Sequence, residues 1–318
     1  MIRSHFFSLT SAAVLGATLL CGPAMGFDLT RSMTESFPPA IGITPEDNPT
    51  NALPDAVDLS FEDQLIELVN QERWANGQLA PLKRIDLLDT SSETHSTNMA
   101  ARNFVMHCDP DTLTMPWDRM NAAGYNYTSA AENIAWGYPT PVDVMDGWMN
   151  SQFHRANILS TTYREMGNGY FNQSGDQGDI RTLDPFTTSC TPNSFNNGPF
   201  FRYWTQNFGK RSSVYPVVID RETTVTESRD VDLYIYGNWS EMRLQNENGV
   251  WTDWLPFAVN STWQLSSGNG TKTLNAEMRG GSTVVSASDT IILEDTSEIL
   301  FIDGFESGNT SAWSTVTP

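Results

Sequence analysis

The sequence predicts an α+β unit over residues 60–212 followed by an all-β sandwich over residues 213–294. Three observations carry this reading. Helical apolar periodicity recurs between residue 60 and about residue 150, and two strand candidates follow it. Beyond residue 210 the pattern turns to short alternating runs. A chain of 318 residues accommodates two domains of ordinary size.

Two segments precede the ordered part. Residues 1–26 read as an export signal, with Arg3 as the positive end, an apolar run from Ala12 to Leu20, and small residues Ala24 and Gly26 before the cut. Its apolar run is too short to span a bilayer, and no later stretch reaches the required length. Residues 27–59 carry Pro38, Pro39, Pro45, Pro49 and Pro54 and no periodicity, so an extended leader or linker is expected.

Order is expected from Ser60. "SFEDQLIELVNQERWANG" opens with a Ser-x-x-Asp cap, repeats Phe61, Leu65, Leu68 and Val69 at helical spacing, and stops at Gly77. A second helix is expected over 86–106, where the stripe Leu88, Ser92, His95, Met99, Arg102 and Met106 turns His95 inward. "PWDRMNAAGY" predicts a short third helix ended by Gly124, and "TPVDVMDGWMNSQ" a fourth with Pro141 in its first turn. Residues 165–171 and 202–209 are the strand candidates. The Gly/Asn/Ser-rich segment between them, including "NQSGDQGD", reads as an exposed loop.

After Lys210 the runs "VYPVVID", "VDLYIYG", "EMRLQN", "STWQLS", "KTLNAEMR", "TVVSAS" and "DTIIL" alternate, with turn residues between them. Seven short strands so spaced predict an immunoglobulin-like sandwich. Core packing is the expected use of Trp239, Trp251, Trp254 and Trp263, ahead of a carbohydrate-stacking platform. Residues 295–318 form a tail containing "FIDGFESGNTSAWS", which resembles a short C-terminal signature of exported bacterial proteins.

The net charge is −20, and removing the signal takes away a single charge, that of Arg3, making the rest more acidic. Such a field repels phosphate backbones, so nucleic acid is not an expected partner. Signal cleavage also removes Cys21. Cys108 and Cys190 remain, and two cysteines in an oxidising compartment are expected to pair.

Three histidines lie beyond the signal, His95, His107 and His154, all within the α+β unit. No His-Glu-x-x-His, Gly-x-Ser-x-Gly or phosphate-cradling glycine loop occurs, which removes the familiar zinc-protease, serine-hydrolase and nucleotide-dependent classes. Glu132 stands beside Ile134, Ala135 and Trp136, where an unpaired carboxylate is costly. A neighbouring imidazole would relieve that cost, which predicts Glu132 within about 4–6 Å of His107 or His154.

The ordered segments "LVNQERWANGQLAPL", "HSTNMAARNFVMH", "PWDRMNAAGY", "AENIAWG", "WMNSQFHRANIL", "YREMGNGYF" and "YWTQNFG" together resemble the bacterial branch of the CAP (SCP-like) superfamily. The resemblance covers about residues 62–209 and implies an α-β-α sandwich with a central cavity. In many members two histidines and two glutamates line that cavity, and some bind zinc or another divalent cation. Here His107 matches the first histidine and Glu132 the glutamate of the Gly-Glu-Asn motif, although Ala131 replaces the glycine. Ser151 stands where the second glutamate would be, and Tyr203 where the second histidine would be. His154 of "HRANIL" is the bacterial alternative. The expected cavity lining is therefore His107, Glu132, His154, Ser151, Tyr203 and His95, with His107, Glu132 and His154 as the candidate ligands of a divalent cation such as zinc. For His95 a core role is favoured, and Arg155 and Asn157 read as capping and loop-tying groups.

What the resemblance implies favours a secreted binding module for a small molecule, a glycan or an extracellular protein. Two alternatives stay open: a metal-assisted peptide or ester hydrolase using His107, Glu132 and His154, and a cell-envelope adhesin.

Overall fold

A computed structural model describes residues 59–182 and 190–295; the expected signal, leader and tail lie outside them, apart from the last residue of the leader and the first of the tail. The first unit runs α1 (Phe61–Ala75), β1 (Lys83–Arg84), α2 (Asp86–Ala101), β2 (Phe104–Val105), α3 (Pro116–Ala122) and β3 (Tyr127–Trp136). It continues with α4 (Pro141–Asn150), α5 (Gln152–Ile158), β4 (Glu165–Asn172), β5 (Ile180–Thr182), β6 (Ser194–Asn196) and β7 (Arg202–Arg211).

Local chemistry explains where these elements begin and end. Ser60 caps α1 through a reciprocal pair with Asp63, satisfying two otherwise orphaned backbone donors. Helix α2 stops at Ala101, earlier than expected. Asn103 takes the left-handed conformation, which ends the helix and sends Phe104 and Val105 into a strand. The fourth predicted helix is α4; the chain breaks at Ser151, and an additional helix, α5, carries His154. Arg155 Nη1 donates to Met149 O at 2.6 Å across that break, a capping role as expected.

The main sheet has the order β1-β4-β7-β3, with β1 parallel to β4 and the remaining pairs antiparallel. Helix α2 covers one face, and α3 flanks it. Helices α1, α4 and α5 cover the other, giving three layers. On the second face Leu65, Val69, Val144, Trp148, Ile158, Trp204 and Phe208 are fully or almost fully buried. Each aliphatic side chain so buried contributes roughly 1.5–3 kcal/mol. A smaller sheet, β2-β5-β6, stands beside the α2 layer. The Cys108–Cys190 disulfide is present, with Cα atoms 5.5 Å apart, and anchors the segment preceding β6.

The second unit contains β8 (Val217–Ile219), β9 (Val225–Thr226), β10 (Asp230–Ile235), β11 (Glu241–Asn246), β12 (Leu255–Pro256), β13 (Asn260–Gln264), β14 (Gly270–Gly280) and β15 (Thr283–Leu293). These form sheets β13-β10-β8 and β12-β11-β14-β15-β9, which share one apolar core including Ile219, Leu233, Leu244, Leu274 and Met278. "TVVSAS" and "DTIIL", expected as two strands, are one continuous strand through Asp289. Trp239 and Trp263 pack against the core as expected. Trp251 and Trp254 do not: Arg243 lies over both rings at 4.8 Å, and Arg279 lies over Trp254 at 4.1 Å.

A polar seam joins the units. Lys83 is ion-paired to Glu222 at 2.9 Å and to Asp289, Asn70 Nδ2 donates to Arg221 O at 2.8 Å, and Tyr236 Oη donates to Pro81 O at 2.8 Å. Arg221 and Glu222 sit in a turn of three successive positive-φ residues, Asp220 to Glu222.

Candidate functional site

Glu132 lies on β3, the outer strand of the main sheet, opposite Asn207 of β7. Successive residues of a strand face opposite ways. Glu132 and Ile134 therefore turn toward the α2 layer, while Asn133 and Ala135 turn toward α4 and α5. Asn133 is fully buried and ties α5 to the strand. Its amide donates to His154 O at 3.2 Å, and its carbonyl accepts from Asn157 Nδ2 at 2.9 Å.

On the α2 side three groups converge on the Glu132 carboxylate. His107 Nδ1 lies 2.8 Å from Oε1, Arg119 Nη2 donates to Oε2 at 2.7 Å, and His95 Nε2 lies 3.9 Å from Oε1. The expected pairing with His107 is present, closer than the sequence argument required. Burial alone would raise the Glu132 pKa. The Arg119 charge and the flanking imidazoles outweigh it and hold the group at about 2, so it is ionised at neutral pH.

Burial, followed by the Arg119 charge, pushes His95 down to about 3. His95 is fully buried on α2, and its Nε2 also lies 2.9 Å from Met106 O. The core reading of His95 is thus incomplete, since the helix stripe shows that the ring points inward but not what it meets. His154 is half-buried on α5 and lowered to about 4, first by burial and then by His107. Its ring makes no hydrogen bond among the described residues, whereas His107 keeps 8% of its side chain exposed.

Two expected lining residues have other work. Tyr203 belongs to the core beside Met99 and Phe104, and its hydroxyl donates to Asp176 Oδ2 at 2.8 Å. Strand register accounts for this, because Tyr203 pairs with Trp136, four residues along β3 from Glu132. Asp176 is itself buried and accepts from Phe200 N and Phe201 N, so "NQSGDQGD" is not simply an exposed loop. Ser151 forms the joint between α4 and α5, and its backbone N–H donates to Trp148 O at 3.1 Å.

Arg119 was not among the sequence candidates. Its one sequence signal is a lone cation between Met115, Pro116 and Met120 on a short helix, where a charge requires a partner. Its presence also decides how well the site fits a metal. Both oxygens of Glu132 are engaged, and a guanidinium already supplies the positive charge. Among the described residues no group of three or more His, Cys, Asp or Glu is placed to hold a metal ion. His107, Glu132 and His154 therefore do not assemble as the expected zinc set. The residues present do not fit a divalent cation.

The sequence model of the cysteine-rich secretory protein family, CAP, matches residues 66–208, the span that builds this site. The chain carries a CAP domain. The CAP segment is 39% identical over 123 residues to the uncharacterized protein YkwD of Bacillus subtilis, covering 39% of this chain and 47% of that protein. It is 28% identical over 122 residues to the uncharacterized membrane protein YlbC of the same organism, covering 37% of this chain and 35% of that protein. The chain thus spans less than half the length of either relative. A solved structure of an extracellular protein containing an SCP domain from Bacillus anthracis aligns at 24% identity with a TM-score of 0.36, covering 48% of this chain and 40% of that one.

Proposed function

We propose that this chain is an exported binding protein whose CAP domain, residues 60–212, presents a hydrogen-bonding site to an extracellular ligand. In this reading residues 213–294 form an immunoglobulin-like sandwich that carries the CAP domain. The signal-like N-terminus and the disulfide support export, and no described helix is long and apolar enough to cross a membrane.

The state of Glu132 carries the binding reading. One carboxylate oxygen is engaged by His107 and the other by Arg119, so the group already has its hydrogen-bond partners and its compensating charge. A ligand meets the remaining edge of His107 and the ring of His154. His154 is neutral at pH 7, and a neutral imidazole both donates and accepts. Such a surface suits hydroxyl and amide groups of a small molecule, glycan or peptide rather than a charged centre.

One observation favours a second reading. A carboxylate bonded to His107 Nδ1 is the arrangement that orients an imidazole as general base, leaving Nε2 to act. Among the described residues no hydroxyl or thiol bonds to that ring, so hydrolysis would rely on water.

The test combines metal analysis of untagged protein with histidine-ring NMR during a screen of neutral polar fragments. The binding reading expects sub-stoichiometric metal and saturable shifts at His107 and His154. Stoichiometric zinc that is lost in Glu132→Gln overturns it in favour of metal chemistry. Ester or peptide turnover abolished in His107→Gln favours the second reading.

A further inference from the structure

A cleft of about 840 Å³ opens between β13, the outer strand of the smaller sheet of the second unit, and the turn that follows β11. Its size is that of a small-ligand site. Trp263 lines it while also packing on the core. The indole is locked, with Nε1 donating to Asn246 Oδ1 at 2.6 Å, and Asn246 Nδ2 donating in turn to Gln264 O at 2.9 Å. Gln264 Nε2 donates to Asp230 Oδ1 at 3.0 Å, which fixes both side chains on the cleft wall.

Among the described residues, Asp230 Oδ2 and Gln264 Oε1 have no partner and accept hydrogen bonds, and the Thr262 hydroxyl, likewise unbonded, both accepts and donates. Val250 stands beside them 94% exposed, an apolar side chain with nothing covering it. No lysine or arginine lines the cleft, and the whole chain is strongly acidic. A phosphorylated or carboxylated ligand would therefore meet repulsion.

We propose that this cleft is a second binding site, separate from the CAP site, for a neutral oligosaccharide. The ligand's C–H faces lie on the indole and on Val250, and its hydroxyls donate to Asp230, Gln264 and Thr262. A hydroxyl-rich, uncharged molecule with apolar ring faces is the chemistry that uses both the aromatic wall and the unbonded polar groups beside it.

The full chain is titrated with tetramers of β1,4-linked glucose and of β1,4-linked N-acetylglucosamine, and with a tetragalacturonate of the same size. Tryptophan fluorescence is the readout. Saturable binding of at least one neutral tetramer is expected, with none of the acidic one. Gln264→Ala and Asp230→Asn alter exposed side chains and should each weaken binding about tenfold, the loss of one good hydrogen bond. Trp263→Ala should abolish it, and its thermal melt separates that loss from unfolding. The proposal is overturned if neither neutral tetramer binds, if the acidic tetramer binds more tightly, or if both exposed-residue variants bind like the parent.

Discussion

Arg119 Nη2 donates to Glu132 Oε2 at 2.7 Å, on the oxygen that His107 leaves free. Truncating Arg119 would strand an ion in a site where Glu132 has 1% of its side chain exposed. Arg119→Met is expected to cost about 3–5 kcal/mol by urea unfolding. The double variant with Glu132→Gln should recover most of that loss, because no buried charge then lacks a partner. A double-mutant cycle with zero coupling energy would contradict the pairing.

Acid should weaken the fold through the histidines. The His95 imidazole is held at about 3 in the native state and titrates near 6.5 when unfolded. Between those values the unfolded chain takes up a proton that the folded chain refuses, so stability falls as pH drops below about 6.5. The slope approaches about 1.4 kcal/mol per pH unit. His154 adds the same sense of change down to about 4. His95→Asn should flatten the difference in unfolding free energy between about pH 7 and pH 5. An unchanged slope would mean that the ring is protonated in the fold.

The disulfide joins residues 82 positions apart. In the chain-entropy model, closing such a loop contributes about 3–5 kcal/mol. Reduction should lower the unfolding midpoint accordingly. Two titratable thiols in the denatured, unreduced exported protein would refute the bridge.

Lys83 is a part-buried cation of the seam, set between Glu222 and Asp289. Burial, together with the Asp289 charge, pushes the Glu222 carboxyl up, while Lys83 opposes that rise. Lys83→Met should leave two facing carboxyls and cost about 3–5 kcal/mol at neutral pH. Glu222 would then be raised further, and a raised carboxyl stabilises below its unfolded pKa and loses that contribution as pH rises through its folded value. The variant should therefore regain stability relative to the parent as pH falls toward about 8, the parent's folded value, with little further relative change below it. A fragment ending at Tyr215 is expected to stay soluble with a cooperative melt at a lower midpoint than the whole chain. An unfolded fragment would mean that the seam is essential to the first unit.

The sequence showed most where the determining interactions are local. The capping box at Ser60 joins residues three apart, so α1 was readable to within a residue or two. The desolvation cost of Glu132 pointed to an imidazole without any fold. Strand β3 was not readable, because Ala131 and Asn133 face one helical layer while Glu132 and Ile134 face the other, which erases the alternation. "DTIIL" read as a separate strand opening at Asp289, because the lysine that neutralises this buried carboxylate arrives from residue 83. Arg119 was missed for the same reason: a lone cation shows that a partner is needed but not where it sits. Tyr203 was misplaced because matching a motif position fixes neither strand register nor the direction of a side chain.

Gly167 and Gly169 bring α2 down onto β4. A Cβ at either position would come within 2.2 Å of helix backbone, at Asp89 N or Glu93 N. Ser92 and Ser96 hydroxyls bond the two glycine carbonyls across this contact. The 3.9 Å separation between His95 and Glu132 therefore depends on two missing methyl groups on β4, two strands away from β3. Selection on the site should extend to both glycines, and a saturation-mutagenesis map would register them as functional positions although neither contacts the carboxylate.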